Sequence, residues 1–215
     1  MKIEIWSDVM CPFCYIGKRR FEKALEQFEH KDKVRIEWKS FQLNPNLKTQ
    51  PDKNATEHLA EAKGWSMEQT LSAQDHVVSM AKQEGLEFNF DKAVVANSFN
   101  AHRFTHLAKS MGLQDIVEEH LFQAYFTEGK NIDDPQTLKS IGTLAGIPED
   151  KMDYLIHGNA FADEVEKDLY EARQFGIQGV PYFVFDGKYG ISGAQETSTF
   201  LNALKQIAQK ENLNA

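Results

Sequence analysis

The feature that most constrains this chain is the motif Cys11-Pro12-Phe13-Cys14, which holds the only two cysteines among 215 residues. A short apolar segment at residues 3–6 precedes it and has the pattern of a buried strand. Proline is favoured at the first position of a helix, because its missing N–H would have no partner there in any case. The sequence therefore predicts a strand that leads into a loop, with Cys11 at the N-terminus of the helix that follows.

The rest of the first 40 residues predicts a βαβ unit. Apolar residues from Phe13 to Phe28 have helical spacing, and residues 34–39 alternate apolar and charged side chains as an edge strand does. The order strand, helix, strand favours parallel pairing of the two strands through a right-handed crossover. We expect residues 41–53 to form the loop that leaves this unit.

A helical block is predicted between about residues 55 and 158, where strand patterns stop. Ser66 with Gln69 has the pattern of a capping box, and Asp91 is placed to cap a helix that runs to Met111. Six glycines each follow a helical pattern where a C-terminal cap would fall, namely Gly64, Gly85, Gly112, Gly129, Gly146 and Gly158. We therefore expect a helical insertion of about 100 residues.

The C-terminal part returns to mixed structure. One more helical pattern ends at Gly176, and Val180 to Phe185 reads as a strand with Pro181 at its start. Asp186-Gly187 favours a tight turn into a second strand at residues 188–192, and an amphipathic helix closes the chain. The first and last parts together predict one mixed α/β sheet.

The cysteine pair indicates redox chemistry. A thiol attacks as thiolate, and the unsatisfied N–H groups at a helix N-terminus favour that negative charge. Cys11 is therefore the expected nucleophile. Cys14, one turn further in, is the expected resolving thiol.

Three other interpretations of the cysteine pair remain open at this point: a structural disulfide, two inert buried thiols, and part of a metal site. The last would draw on His102 and His106, which have i, i+4 spacing.

Charge and hydropathy exclude several classes of function. The net charge of −8 gives no broad attraction to nucleic acid or to anionic lipid, so neither partner is expected. The longest apolar run is far shorter than the roughly 20 residues of a membrane span. Glu4 and Asp8 interrupt the start of the chain where a secretory signal would be apolar, so we expect a cytoplasmic protein.

With these motifs in view, the chain resembles the DsbA-like branch of the thioredoxin-fold oxidoreductases, and most closely its cytoplasmic FrnE-type members. The resemblance covers nearly the whole chain and is carried by CPFC together with the late Gly179-Val180-Pro181. Residues 97–103 (NSFNAHR) and 41–45 (FQLNP) add to it. It implies a thioredoxin-like domain in two halves, residues 1–53 and 159–215, around a helical insertion domain at 54–158.

The resemblance also implies a site and an activity. Pro181 would be cis and face the cysteine loop, with the Val180 backbone pairing with an extended substrate, and Pro12 and Phe13 completing the substrate-binding set. The activity would be that of a thiol-disulfide reductase or isomerase on protein or small-molecule disulfides, without a cofactor and with glutathione as a candidate co-substrate. DsbA-like potentials lie at about −120 mV and the cytosolic glutathione pool at about −280 mV, so such a protein would rest as the dithiol.

Two alternatives remain at this stage. One is a kappa-class glutathione transferase or a 2-hydroxychromene-2-carboxylate isomerase, although those relatives typically carry serine at the position of Cys11 and lack Cys14. The other is a non-catalytic redox-sensing module that binds peptides. The sequence leaves open the roles of Asn97, His102 and Arg103, the redox partner and the oligomeric state.

Overall fold

The computed structural model describes residues 1–211 and has the predicted α/β architecture. Its elements are, in chain order, β1 (Lys2–Ser7), α1 (Pro12–Glu26), β2 (Arg35–Ser40), β3 (Gln50–Asn54), α2 (Ala55–Lys63), α3 (Met67–Gln83), β4 (Val94–Val95), α4 (Phe99–Ser110), α5 (Gln114–Phe122), α6 (Pro135–Leu144), α7 (Glu149–His157), α8 (Ala162–Gln174), β5 (Tyr182–Phe185), β6 (Tyr189–Ser192) and α9 (Thr197–Lys210). A single π-helical stretch, Gln123–Thr127, continues α5.

The main sheet joins the two ends of the chain in the order β2-β1-β5-β6. Strands β1 and β2 are parallel, with Ile5 opposite Trp38, whereas β5 is antiparallel to both β1 and β6. The predicted turn at Asp186-Gly187 has both residues at positive φ, and the Lys188 N–H donates to the Phe185 carbonyl. The mixed sheet is thus confirmed.

The outer edge of β2 is covered by side chains of two helices. The Gln114 amide of α5 accepts the Trp38 N–H at 3.1 Å and donates to the Trp38 carbonyl at 2.9 Å. Asp168 of α8 accepts the Ser40 N–H at 2.9 Å. Unpaired edge strands are prone to pairing with other chains, so these contacts close an exposed edge.

Two predictions about the middle of the chain are wrong. Residues 50–54, expected in a loop, form β3, which pairs antiparallel with β4 inside the block expected to be helical. Asp91 does not cap a helix, because α4 begins only at Phe99. The polar sequence of β3, which includes a proline, carries no strand pattern, and its short pairing with Val94 and Val95 is a tertiary contact.

Most of the predicted helix ends agree with the structure. Ser66 and Gln69 form both hydrogen bonds of the capping box that begins α3. Five of the six predicted glycines have φ between 65° and 80°, the left-handed conformation that glycine adopts without strain. Gly158 is extended instead, at φ −127°. The domain boundaries at residues 54 and 158 stay a prediction.

Two buried apolar clusters meet at α1. One lies between the sheet, α1 and α9, around Phe21, Phe183 and Phe200. The other fills the helical part and includes both cysteines. Tyr15 of α1 stacks on Phe122 of α5, with ring centroids 4.9 Å apart. The cysteine motif therefore lies where the sheet-bearing part of the chain packs against the helical part. Within residues 1–211, no helix is both long and apolar enough to cross a bilayer.

Candidate active site

The loop from β1 to α1 fixes the two cysteines relative to the helix. Cys11 is the N-cap of α1, with extended backbone at φ −91° and ψ 111°, and Pro12 takes the first helical position. The Cys11 N–H donates to the Asp8 carbonyl at 2.9 Å, and the Cys14 N–H donates to the Cys11 carbonyl at 3.0 Å. Cys11 therefore lies at the positive end of the helix dipole, with Cys14 one turn further in.

The two thiols are free and differ in their surroundings. Cys14 has no exposed surface and Cys11 is 4% exposed, whereas Phe13 between them is 40% exposed. Burial raises the pKa of the Cys14 thiol well above its ordinary value, and the neighbouring Cys11 raises it further, against smaller opposing effects from the Ser7 side chain and the Asp8 backbone. Cys14 is thus held as a protonated thiol.

The segment before β5 forms the opposite wall. The Val180–Pro181 peptide bond is cis, as the resemblance implies. The Cys11 Sγ lies 3.5 Å from the Val180 carbonyl oxygen, to which the thiol donates. A Cβ on Gly17 would lie 3.0 Å from Pro181 Cγ, so the absence of a side chain there lets α1 approach this segment closely. The structure therefore brings the two distant parts of the predicted site together.

Asn97 connects the two other stretches that carry the resemblance. Its Oδ1 accepts the Phe99 N–H at 2.8 Å, which begins α4, and also the Gln42 Nε2 at 3.0 Å. Its Nδ2 donates to the Leu47 carbonyl at 2.7 Å. Asn97 therefore has a structural role: it holds the loop after β2 against the start of α4.

Arg103, whose role the sequence left open, holds the C-terminal end of α7. Its guanidinium donates to the carbonyls of Leu155, Gly158 and Ala160 at 2.6–2.8 Å, and to Asn100 Oδ1 at 2.9 Å. Carbonyls at the end of a helix have no partner within the helix, so a planar donor that reaches several of them is a cap. This arginine is structural.

The two histidines of α4 face different carboxylates. His106 Nε2 lies 3.0 Å from Asp168 Oδ2, whereas His102 Nε2 lies 3.6 Å from Asp8 Oδ1. Within residues 1–211, no group of three or more His, Cys, Asp or Glu side chains is arranged to hold a metal ion. The geometry gives no support to the composite metal site considered from the sequence.

Asp8 is a residue of the site to which the sequence analysis assigned no role. It is 1% exposed, and its Oδ2 accepts the Leu43 N–H at 2.8 Å while its Oδ1 accepts the Met10 N–H at 3.3 Å. One carboxylate thus ties the cysteine loop to the loop after β2. The only signal in the sequence was an acidic residue close before the motif, which is equally typical of a strand end.

The surface beside the cysteine loop is partly open, although both thiols are buried. Leu43 is 51% exposed next to the cysteine loop, and Val180 is half-buried. An open groove of about 630 Å³ runs along the loop after β2 and includes neither cysteine. Its walls include Gln42, Thr49, Asn97, Asn100 and Asp133. The groove therefore lies along the loop after β2 and not over the buried thiols.

Comparison with solved structures identifies proteins of similar fold. A probable DsbA oxidoreductase from Streptomyces coelicolor is 36% identical, with a TM-score of 0.90 over 96% of this chain and 89% of that one. The cytosolic disulfide reductase DsbM from Pseudomonas aeruginosa, at 14% identity and TM-score 0.69, matches over 100% of both chains. A 2-hydroxychromene-2-carboxylate isomerase, at 15% identity and TM-score 0.71, also matches over 100% of both chains. At these low identities, the last two share the fold alone.

A family model covers almost the whole chain. The model described as the DSBA-like thioredoxin domain matches residues 2–205. This range takes in the cysteine motif, the helical part and the Val180-Pro181 segment, so the match does not rest on one local motif. The chain belongs to the DSBA-like thioredoxin domain family.

Proposed function

We propose that this protein is a thiol-disulfide oxidoreductase that acts as a reductase or isomerase through the Cys11–Cys14 pair. The observation that carries the proposal is the position of the Cys11 Sγ, at the N-cap of α1 and 3.5 Å from the Val180 carbonyl. The helix N-terminus stabilises a thiolate, and the neighbouring backbone offers an edge to an extended substrate.

In the first step, the Cys11 thiolate attacks one sulfur of a substrate disulfide. The substrate S–S bond breaks, a mixed disulfide forms between Cys11 and the attacked sulfur, and the other substrate sulfur leaves as a thiolate that takes a proton from water. The Val180 backbone, the Pro181 ring and the exposed Phe13 would contact the substrate on either side of that bond, with Pro12 fixing the start of the helix.

In the second step, Cys14 gives up its proton and attacks the Cys11 Sγ. The mixed disulfide breaks, the substrate leaves as its second thiol, and Cys11 and Cys14 are left as a disulfide. Two electrons have moved from the protein to the substrate. Because the buried Cys14 holds its proton tightly, the mixed disulfide would persist long enough to allow isomerisation of a substrate with several cysteines.

An external thiol has to return the protein to the dithiol state. Glutathione is the candidate, since the structure of DsbM has also been solved with this tripeptide bound. We propose that the reaction takes place in the cytoplasm, because DsbM, which shares the fold, is a cytosolic disulfide reductase. Within the family, we propose the FrnE-type branch, on the sequence motifs alone.

The test is insulin reduction coupled to a thiol reductant. The wild-type protein should turn over, and Cys11→Ser should reduce the rate to the uncatalysed background. The matched variant is Cys14→Ser, which keeps the nucleophile and should accumulate a mixed disulfide. Equal turnover by wild type and Cys11→Ser would contradict the proposed function. Stoichiometric oxidation without turnover would instead favour the redox-sensing module.

A second candidate activity is glutathione-dependent isomerisation or transfer. The full-length match in fold to 2-hydroxychromene-2-carboxylate isomerase favours it, and the presence of Cys14 speaks against it. Binding of glutathione without any disulfide between Cys11 and Cys14 under oxidant would support this second activity.

A further inference from the structure

Three buried titratable side chains interact with one another, and one of them belongs to the cysteine loop itself. Asp8, His102 and Glu118 are each at most 2% exposed, and they come from the β1–α1 loop, α4 and α5 respectively. The mechanism given above uses none of them. Burying ionisable groups is costly unless their charges are paired, so their arrangement calls for a role.

Asp8 connects this group to the thiols. Its carboxylate accepts the Met10 N–H, its carbonyl accepts the Cys11 N–H, and its Oδ1 lies 3.6 Å from His102 Nε2. The Asp8 backbone also lies against the Cys14 thiol and lowers its pKa slightly. A change of charge around Asp8 is therefore transmitted to the cysteines over a short distance.

His102 interacts electrostatically with two carboxyl groups. Burial lowers the pKa of His102, but Asp8, Glu118 and the Phe41 carbonyl raise it by more, so its pKa lies above the ordinary value. Neither ring nitrogen makes a hydrogen bond of ordinary geometry with any residue of 1–211. The imidazolium is thus held by the two carboxyls rather than by a fixed hydrogen bond.

Glu118 is the member that changes charge near neutral pH. Burial raises its pKa to about 7, with His102 and Lys18 opposing the rise and Asp115 and Asp8 adding to it. Its Oε2 is buried and has no hydrogen-bond partner among residues 1–211. Burial raises the pKa of the Tyr125 hydroxyl, and the negative charge of Asp8 raises it further, so Tyr125 stays neutral.

We propose that the Asp8–His102–Glu118 group is a built-in proton store that couples the reactivity of the Cys11–Cys14 pair to pH. Below about pH 7, Glu118 is neutral. Above it, Glu118 releases a proton to the solvent, which adds one negative charge to the group. That charge disfavours the Cys11 thiolate but leaves the uncharged disulfide unaffected, because only the thiolate is repelled.

Coupling of this kind is reciprocal, so it can be measured from either end. With ¹³C-labelled glutamate, the Glu118 carboxyl signal, assigned by its loss in Glu118→Gln, can be followed with pH in both redox forms of wild type. We expect its proton affinity to be about two- to tenfold higher in the dithiol form than in the disulfide form. A Glu118 that titrates in the ordinary range of a glutamate, or identically in both forms, would overturn the proposal.

The second measurement is the rate at which iodoacetamide modifies Cys11. Glu118→Gln should react about two- to tenfold faster than wild type at pH 8 and at the same rate at pH 5.5, where Glu118 is protonated. Asp75→Asn removes one exposed negative charge from α3 and should match wild type at both pH values. Equal rates for wild type and Glu118→Gln at pH 8 would contradict the coupling.

This inference rests on the proposed function, but the two can fail separately. If no Cys11–Cys14 disulfide forms in glutathione buffers, the proposed redox function fails, while the alkylation comparison still tests the proton store. If the disulfide forms and Glu118 titrates identically in both states, only the proton store is excluded.

Discussion

The Cys11 Sγ donates to the carbonyl oxygen of Val180 at 3.5 Å, although 169 positions separate the two residues in the chain. Strand β1 leads into Cys11 and strand β5 follows Val180, and the two strands are hydrogen-bonded neighbours in the sheet. The contact is therefore set by strand pairing rather than by either loop alone. It leaves the first thiol beside a backbone edge and the second thiol behind it.

The unequal surroundings of the two cysteines predict unequal reactivity. Cys11 should react with iodoacetamide at least about tenfold faster than Cys14 in the folded protein, because Cys14 is fully buried and its pKa is raised. Mass spectrometry of peptides after a short exposure to the reagent measures this. In guanidinium chloride the two rates should become similar, and equal rates in the folded protein would contradict the assigned roles.

The helix-capping role of Arg103 predicts a loss of stability rather than of chemistry. Arg103→Lys keeps the charge but cannot reach three carbonyls at once, so it should lower the free energy of unfolding by about 2–3 kcal/mol. Urea unfolding measures this. The rate of insulin reduction at low temperature should stay within about twofold of wild type. A large loss of rate in a folded variant would show that Arg103 contributes to the site.

The hydrogen bonds of Gln114 to the edge of β2 predict a similar loss of stability for a different reason. Gln114→Leu leaves the N–H and carbonyl of Trp38 without partners in a buried setting, which should cost about 2–4 kcal/mol of stability. Gln136→Leu, at an exposed position of α6, is the matched control and should change stability by less than about 0.5 kcal/mol. We also expect Gln114→Leu to form more aggregate on heating, measured by light scattering, since its β2 edge is uncovered.

Gly64 and Gly129 have nearly the same backbone conformation, so alanine substitutions at the two positions distinguish backbone strain from steric clash. Gly64 (φ 65°) has open space where a Cβ would be, whereas a Cβ on Gly129 (φ 68°) would lie 2.5 Å from the Lys92 carbonyl oxygen. Gly64→Ala should therefore cost about 1 kcal/mol, and Gly129→Ala at least about 3 kcal/mol. Thermal melting of both variants tests the difference. Equal melting temperatures would mean that the Lys92 segment moves away at little cost.

Features that depend on neighbouring residues were predicted from the sequence, whereas features that depend on distant residues were missed. Cys11 at a helix start, the Ser66 capping box and the Asp186-Gly187 turn follow from residues next to one another, so local chemistry was sufficient. The start of α4 was misplaced because Asn97, whose Oδ1 accepts the first N–H of α4, also accepts a hydrogen bond from Gln42 in a distant loop. A cap shared with another part of the chain leaves no local pattern.

The buried Asp8–His102–Glu118 group was also missed, because its contacts are long-range. Asp8, His102 and Glu118 are separated by at least 16 positions in the chain, and each has an ordinary sequence context. Their meeting depends on how α4 and α5 pack against the β1–α1 loop. The resemblance to the DsbA-like family predicted Val180 and Pro181 as site residues. No local sequence pattern predicted that Asp8, His102 and Glu118 would meet.

Glu118 also predicts how stability changes with pH. Its pKa is about 7 in the folded protein and near 4.5 in the unfolded chain, so between these pH values the folded protein binds more protons than the unfolded chain. The free energy of unfolding contributed by this group therefore falls as pH rises from about 4.5 to about 7, and then levels off. His102, with a raised pKa, acts in the same direction, since its contribution is lost as pH rises through its folded pKa.

Glu118→Gln removes this ionisation and keeps the shape of the side chain. The variant should match wild type in stability near pH 4.5 and exceed it at pH 8 by an amount on the order of 3 kcal/mol, because the Glu118 pKa of about 7 in the folded protein lies well above its ordinary value of 4.5. Urea unfolding at the two pH values, with Asp75→Asn as the charge control, measures the difference. A variant that is less stable than wild type at pH 8 would show that the Glu118 carboxylate is stabilised where it lies, and that it carries its negative charge in the folded protein well below pH 7.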